Sequence, residues 1–448
     1  MGNIFETIFD VASLSSGSIL EDLIRRPFSS FYRIETAIDE RTLVSSEGAM
    51  ATILRLDGTL SETSLKSNAE TVEALLSKIS AGFSQSGHAV EFFFALDPDR
   101  SRNEIGRQIA IAKGAAKRLG LDIEDLLEER VSWLSKFVFW ETACFVIWTR
   151  PGAVNKDELK IARERAIAAR KNAPRPKSGS SPAQDYMTGY PIVLQKHKGF
   201  VDMFTQAFSS VGLRIETMKV HTAIAYQRDA IYPGSVDVNR LERYENGGKS
   251  LSESGTWRPF LPGDAIPPRL RLGKSSEADL FWPNLPRQIF RSGVEFDDEN
   301  PRFPIVEDRI YAPVDIDLPP EKIPIGGFQD LLNSIVSSTD ETGQHMPFRV
   351  RYLIETAGMF RLGFKQIAAQ IGAAFSDSNK RINEAIKYLK TVVSTSDPDL
   401  VDKAVSIRIS ACTWAPRGQL DLLRSREAAL KSAFEQWGGC QVTTAIGD

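Results

Sequence analysis

Two glycine–lysine–serine runs are the residues whose types and spacing come nearest to recognisable chemistry. Gly247-Gly248-Lys249-Ser250 and Gly273-Lys274-Ser275 each carry the closing residues of a nucleotide-binding P-loop. That motif needs an earlier glycine, so that a loop between a buried strand and a helix can turn its N–H groups onto phosphate. Arg243 stands at that position for the first run and Pro268 for the second. The flanks, Arg240-Leu241-Glu242-Arg243-Tyr244 and Leu251-Ser252-Glu253-Ser254, read as neither strand nor helix. We therefore expect solvent loops here and no nucleotide held by these residues. His88, His197, His221 and His345 are scattered, with no His-Glu-x-x-His pair and no Cys/His cluster at zinc spacing. No Gly-x-Ser-x-Gly elbow occurs. Asp297-Asp298-Glu299 and Asp315/Asp317 have the oxygens for a divalent ion, but in Pro-rich loops such groups are more often solvated turns. No catalytic residue, cofactor ligand or metal ligand is assigned.

Composition narrows the class. The 448 residues suggest two or three domains, and the apolar fraction of 42% with 25% charged residues is that of an ordinary globular chain. The formal net charge of −3 offers no global case for nucleic acid. Cys144, Cys412 and Cys440 are too far apart for a disulfide framework, and the first and second lie in apolar runs. Buried free thiols in a reducing, cytoplasmic compartment are expected. No apolar run reaches the roughly 18 residues of a membrane span. Met1–Glu6 lacks the basic start of a signal peptide.

Periodicity gives the elements. Residues 1–30 read as a helical segment with Ile4, Ile8 and Val11 on one face. A first α+β domain follows at 31–171. Phe31–Asp39 and Ala49–Leu56 form a hairpin, Glu62–Phe83 a helix, and His88–Leu96 a strand. Ser101–Leu119 and Ile123–Trp140 make a helix pair, Thr142–Trp148 a strand, and Asn155–Lys171 a helix. Residues 172–302 hold a Pro/Ser-rich linker, helices around Phe200, Phe204, Phe208 and Ile224, and a Pro/Gly-rich arm. From 303 to 448 the order returns, with a hairpin at Phe303–Val306/Ile310–Ile316 and a helix at Gly327–Ser337. Strand Phe348–Glu355, helices Met359–Phe375 and Ser378–Val393, strand Val405–Thr413, helix Gln419–Trp437 and strand Gln441–Ile446 complete it. The expected class is α+β, as two related open-sheet domains of ββαβααβα order, the second with one added strand. The closing Gly447-Asp448 reads as a junction into a further domain.

Two aromatic–proline segments are the candidates for partner contact. Trp257-Arg258-Pro259-Phe260-Leu261-Pro262 and Trp282-Pro283-Asn284-Leu285-Pro286 share one theme. An indole on a proline-restricted backbone is a rigid apolar knob that loses little entropy on binding. Trp257, Pro259, Leu261, Trp282, Pro283 and Leu285 suit a subunit interface, or fold back on their own domain. A third feature is basic. Residues 155–198 hold ten Lys/Arg against four Asp/Glu. A solvated helix face with a linker is the plainer reading, since no aromatic platform is interleaved for single-stranded nucleic acid.

Asp122-Ile123-Glu124-Asp125-Leu126-Leu127-Glu128-Glu129-Arg130-Val131, Trp148-Thr149-Arg150-Pro151, Trp257…Leu261-Pro262-Gly263-Asp264 and Phe281-Trp282-Pro283 together carry a resemblance. They resemble the N-terminal region of the IcmB/DotO family, the VirB-type ATPases of type IVB secretion systems, similar to conjugative TraU proteins. The resemblance implies a longer protein whose ATPase domain, with its P-loop, ATP and Mg, follows residue 448. It implies a homo-oligomer, a hexamer when full length, cytoplasmic and peripheral on the inner-membrane face of a secretion or conjugation machine. This chain would then anchor and assemble the motor without hydrolysing ATP itself. Two alternatives stand beside it: a nucleotide-dependent enzyme with an unrecognised site, and a nucleic-acid-handling subunit using residues 155–198.

Overall fold

A long apolar strand sits at the centre of the molecule. His88–Asp97 (β4) reads His-Ala-Val-Glu-Phe-Phe-Phe-Ala-Leu-Asp, with apolar residues pointing both ways, which suits a strand covered on both faces. The computed structural model describes residues 32–59, 65–80, 87–154, 191–238, 241–242, 256–261, 285–291, 293–297, 300–318, 327–337, 345–356 and 405–444, with isolated positions between them. The expected helices at 1–30, 359–375 and 378–393, and nearly all of 155–190, lie outside the described residues.

Twelve strands form one antiparallel sheet. In chain order they are β1 (Ile34–Ala37), β2 (Leu43–Ser45), β3 (Met50–Thr59), β4, β5 (Trp140–Thr149), β6 (Leu213–Thr217), β7 (Glu295–Phe296), β8 (Pro304–Val306), β9 (Arg309–Leu318), β10 (Phe348–Thr356), β11 (Val405–Pro416) and β12 (Gln441–Thr444). Across the sheet they run β1-β2-β3-β5-β4-β10-β11-β9-β8-β7, with β6 on β3 and β12 on β9. The order β2-β3-β5-β4 with β6 on β3 is matched by β8-β9-β11-β10 with β12 on β9. The halves meet where β4 pairs β10, from Phe348↔Leu96 to Glu355↔Ala89. The sheets expected of two domains are therefore one continuous sheet.

Four helices cover one face: α1 (Leu65–Ser80), α4 (Pro191–Ser210), α7 (Gly327–Ser337) and α8 (Leu420–Gln436). Phe92 and Phe145 touch across neighbouring strands at 4.9 Å, and Phe145 meets Phe208 of α4 at 4.9 Å. Leu96, Phe348, Ile335 and Phe434 are fully buried on this face, and each such side chain contributes roughly 1.5–3 kcal/mol. The opposite face of the first half is covered by α5 (Val220–Ile231) and α6 (Leu285–Ile289), over Ile34, Ile53 and Cys144. Two helices, α2 (Pro98–Leu119) and α3 (Glu124–Leu134), leave the end of β4 as a hairpin.

Three expectations are corrected. The partner of the first strand is β2, a three-residue strand between Phe31–Asp39 and Ala49–Leu56, so the chain meanders through β1, β2 and β3. The helical stretch at 191–240 is broken by β6, whose alternating Leu-Arg-Ile-Glu-Thr follows a stop at Gly212, φ +78°. The extra strand expected only in the second half thus has a counterpart in the first. Helix Ile123–Trp140 ends at Leu134, because Trp140 already belongs to β5.

Two histidines that are far apart in sequence share one buried threonine. His197 is fully buried, with Nε2 2.8 Å from Thr52 Oγ1 and Nδ1 3.0 Å from Thr149 Oγ1. His88 Nδ1 lies 3.1 Å from the same Thr149 hydroxyl. Burial pulls the pKa of each down to about 4, with Lys196 beside His88 adding to its shift.

Two predictions follow the packing. Gly87 enters β4 at φ +91°, and a Cβ there would lie 2.3 Å from the Ala153 backbone nitrogen. Gly212 also has positive φ but has open space around it. Gly87→Ala should therefore destabilise by more than the roughly 1–3 kcal/mol of left-handed strain alone, and Gly212→Ala by less; equal shifts in denaturation midpoint would contradict this. For the histidines, the unfolded chain binds protons near pH 6.5 and the folded chain only near 4. Their stabilising contribution is complete above about pH 6.5 and is lost as pH falls toward 4. Over that window His197→Gln should show a shallower loss of stability than wild type by urea denaturation; parallel curves would contradict the assignment.

Candidate functional site

The α2–α3 hairpin is built to stand away from the sheet. Asp97 ends β4 and caps α2, its Oδ1 accepting from Arg100 N at 3.1 Å, with Pro98 in the first helical turn. Gly120, φ +68°, ends α2 in a left-handed cap, and Leu121 N returns to Ala116 O at 2.9 Å. Lys113 of α2 fastens α3 by ion pairs to Glu128 at 2.9 Å and Glu124 at 3.7 Å. The hydrogen bond to Glu128 raises the Lys113 pKa.

No residue of α3 is buried among the described residues. Ile111, Leu119, Leu121, Leu126, Trp133 and Phe137 are each more than half exposed. Leu126 and Trp133 are seven apart on one side of α3, and Phe137, in the turn that follows the helix, meets the Trp133 ring at 4.9 Å. So many exposed large apolar side chains on one hairpin mark an interaction surface rather than scattered surface residues. Its rim is charged. Lys113 engages Glu124 and Glu128, while Asp122, Asp125 and Glu129 have no ion pair among the described residues.

Of the residues considered for partner contact, Pro259, Leu261 and Leu285 are buried within the chain itself. Leu261 and Leu285 are buried in the cluster with Ile34, Ile53 and Ile224, and Pro259 is buried beside them. Trp257 is half-buried against that cluster, 4.3 Å from the Arg228 guanidinium. Arg228 donates to the carbonyls of Gln288 and Ile289 at 2.6 and 2.8 Å. Phe260 N donates to Gln288 Oε1 at 2.7 Å, and Gln288 Nε2 to Phe260 O at 2.9 Å. The two segments thus do come together, as a clip that locks α5 and α6 onto the sheet. Asp264 seals its end. Burial works to raise that carboxyl, but bonds from His221, the Leu261 N–H and Arg258 outweigh it and hold the pKa below the usual range. Trp282 and Pro283 lie outside the described residues.

The other candidates resolve less dramatically. Both glycine–lysine–serine runs lie outside the described residues. In the basic stretch, Lys196 pairs with Glu158 and Lys198 with Asp39, each at 2.9 Å, so two of its cations are engaged within the fold. No group of three His, Cys, Asp or Glu could hold a metal ion among the described residues. Cys144 is buried and its thiol is pushed up to about 12 by desolvation. Cys412, expected to be buried as well, is only partly so.

The signal that sequence reading passed over is in α3 itself. Leu127, Val131 and Leu134 form a half-buried side of that helix while Leu126 and Trp133 stay exposed, a two-sided apolar pattern to which the sequence reading gave no role. Trp133→Ser with Phe137→Ser should leave folding stability within about 0.5 kcal/mol of wild type, whereas Trp257→Ala should cost about 2 kcal/mol; thermal denaturation separates the two, and the reverse ranking would overturn both placements. No protein-family model matches this chain, and no curated protein matches it either.

Proposed function

We propose that this chain is the anchoring and assembly module of a type IVB secretion or conjugation ATPase, and that it binds the inner-membrane complex through the α2–α3 hairpin. The observation that carries this reading is the exposed Leu126/Trp133/Phe137 patch, ringed by Asp122, Asp125, Glu129, Arg130 and Lys136. Such a surface fits one occupant best: an amphipathic helix of a machine subunit, aliphatic on one side with charges of both signs beside it. The root of the hairpin is stiff, since Arg309 of β9 pairs with Asp97 at 3.5 Å and Asp99 at 3.6 Å. A rigid base beneath an apolar, charge-rimmed arm is a sensible design for docking.

The family resemblance supplies the wider setting. The motor domain follows this region, binds ATP and Mg, and drives a hexamer on the cytoplasmic face of the membrane. The two halves are two copies of one unit joined through the Pro/Gly-rich region, a reading supported by the same strand order on either side of the β4–β10 seam.

The test is recruitment in source cells. Tagged wild-type chain should co-purify with the inner-membrane complex. Trp133→Ser/Phe137→Ser should lose at least nine-tenths of that recovery, and Asp125→Lys/Glu129→Lys should reduce it in a salt-dependent way, as expected for a charged rim. Undiminished recovery of both variants would remove the hairpin from the proposal. ATP turnover by this chain alone would favour the enzyme reading instead.

A further inference from the structure

The sheet face that carries α5 holds a second feature, unrelated to the hairpin's exposed stripe. A cavity of about 370 Å³ lies between the sheet and α5, with the first turns of α2 at its side. Its size is within the range of small-molecule sites, roughly 300–1,000 Å³. The floor is apolar: Phe93 and Ala95 of β4, and Cys144 and Val146 of β5. Met218 and Tyr226 close it from above.

Polar groups gather at the seam between the halves, and their pairing is uneven. Of the lining cations, Arg100 is bound to Asp229 at 2.9 Å, Arg309 to Asp97 at 3.5 Å, and Arg107 to Glu104 at 3.5 Å. The lining Glu91 is taken by Arg351 at 2.6 Å. That leaves Arg349. It donates to the carbonyl of Ala230 at the end of α5 and lies 4.8 Å from the Trp414 ring, and it has no carboxylate partner among the described residues. Trp414 is 1% exposed, lines the same cavity, and its Nε1–H has no acceptor. Trp140, on the α2 side, is likewise a lining indole with an unsatisfied Nε1–H.

A buried N–H without an acceptor is uncommon and calls for an occupant that supplies one. A half-buried guanidinium without a carboxylate partner among the described residues, at the wall of a partly open and largely apolar cavity, favours a negative charge. The two needs coincide at Arg349 and Trp414, beside an apolar floor. We propose that the cavity binds a small amphipathic monocarboxylate. Its acid group takes hydrogen bonds from Arg349 and Trp414 Nε1, and its apolar body lies over Phe93, Ala95 and Val146. The Trp140 N–H serves a neutral acceptor at the opposite wall. A single unmatched cation selects one negative charge over the two of a phosphate monoester.

Decanoate is the probe, titrated into the full chain by calorimetry, with decanol as its uncharged counterpart. The expected result is saturable one-to-one decanoate binding, at least tenfold tighter than decanol. Arg349→Met should weaken decanoate at least tenfold and leave decanol unchanged. Trp414→Phe should weaken decanoate about three- to tenfold. Ala95→Leu fills the floor without touching the charge, and should abolish binding of both; it decides the matter if Arg349→Met does not fold. Absence of saturable decanoate binding to wild type, or wild-type affinity in a folded Arg349→Met or Ala95→Leu, would falsify the site. Recruitment to the membrane complex should be unaffected by Ala95→Leu, which keeps this test separate from that of the hairpin.

Discussion

The antiparallel pairing of β4 with β10 is the interaction on which the rest of the structure depends. It joins residues more than 250 positions apart, so it closes the longest strand-pairing loop in the described fold and carries the largest loop-closure entropy. Its register decides the two faces at once. Phe92, Phe94, Tyr352 and Phe348 go to the side of α7 and α8, while Glu91, Phe93, Arg349 and Arg351 go to the other. A slip of one residue would exchange these sets, placing arginines in the core. The bidentate contact of Arg351 with Glu91, at 2.6 and 3.1 Å, pins that register from outside, and the contact of Phe94 with Phe348 at 5.9 Å pins it from inside.

The same seam separates two kinds of surface. On the first half, α5, α6 and the Trp257–Leu261 clip bury the sheet face under apolar side chains. On the second half, the corresponding positions are Arg351, Arg408, Ser410 and Asp315, more polar and, for Arg351 and Arg408, exposed among the described residues. Equal strand order has therefore been used for different ends. One half is closed on itself, and among the described residues its large apolar display is the hairpin that leaves the end of β4. The other offers a charged sheet face and lends Arg309, Arg349 and Trp414 to the cavity of its neighbour.

Much of this fold was legible from the sequence where local pattern and tertiary environment agree. The hairpin around Asp308, the helix at Gly327–Ser337 and the strand from Phe348 are found within a residue or two, because turn residues and apolar period coincide there. Leu43–Ser45 is too short to show a period, and it is held as a strand only by its neighbours on both sides. The alternation of Leu213–Thr217 is clear in isolation but lies between two helices that drown it. The tryptophan segments stay open in the sequence for a different reason. A rigid indole beside proline serves a partner or its own domain equally well, and the stacking of Trp257 on Arg228 has no local trace. The joining of two sheets into one was beyond the sequence, since pairing partners across such a distance leave no local trace.

The strands that border the sheet are all short: β1 has four residues, β7 two, β6 five and β12 four. Exposed strand edges are templates on which other chains can add strands, and brief edges give little to template on. A twelve-strand sheet of this kind is thus self-limiting. Among the described residues its edges disfavour growth into a neighbour's sheet or a fibre, which leaves the surface side chains as the better means of meeting a partner.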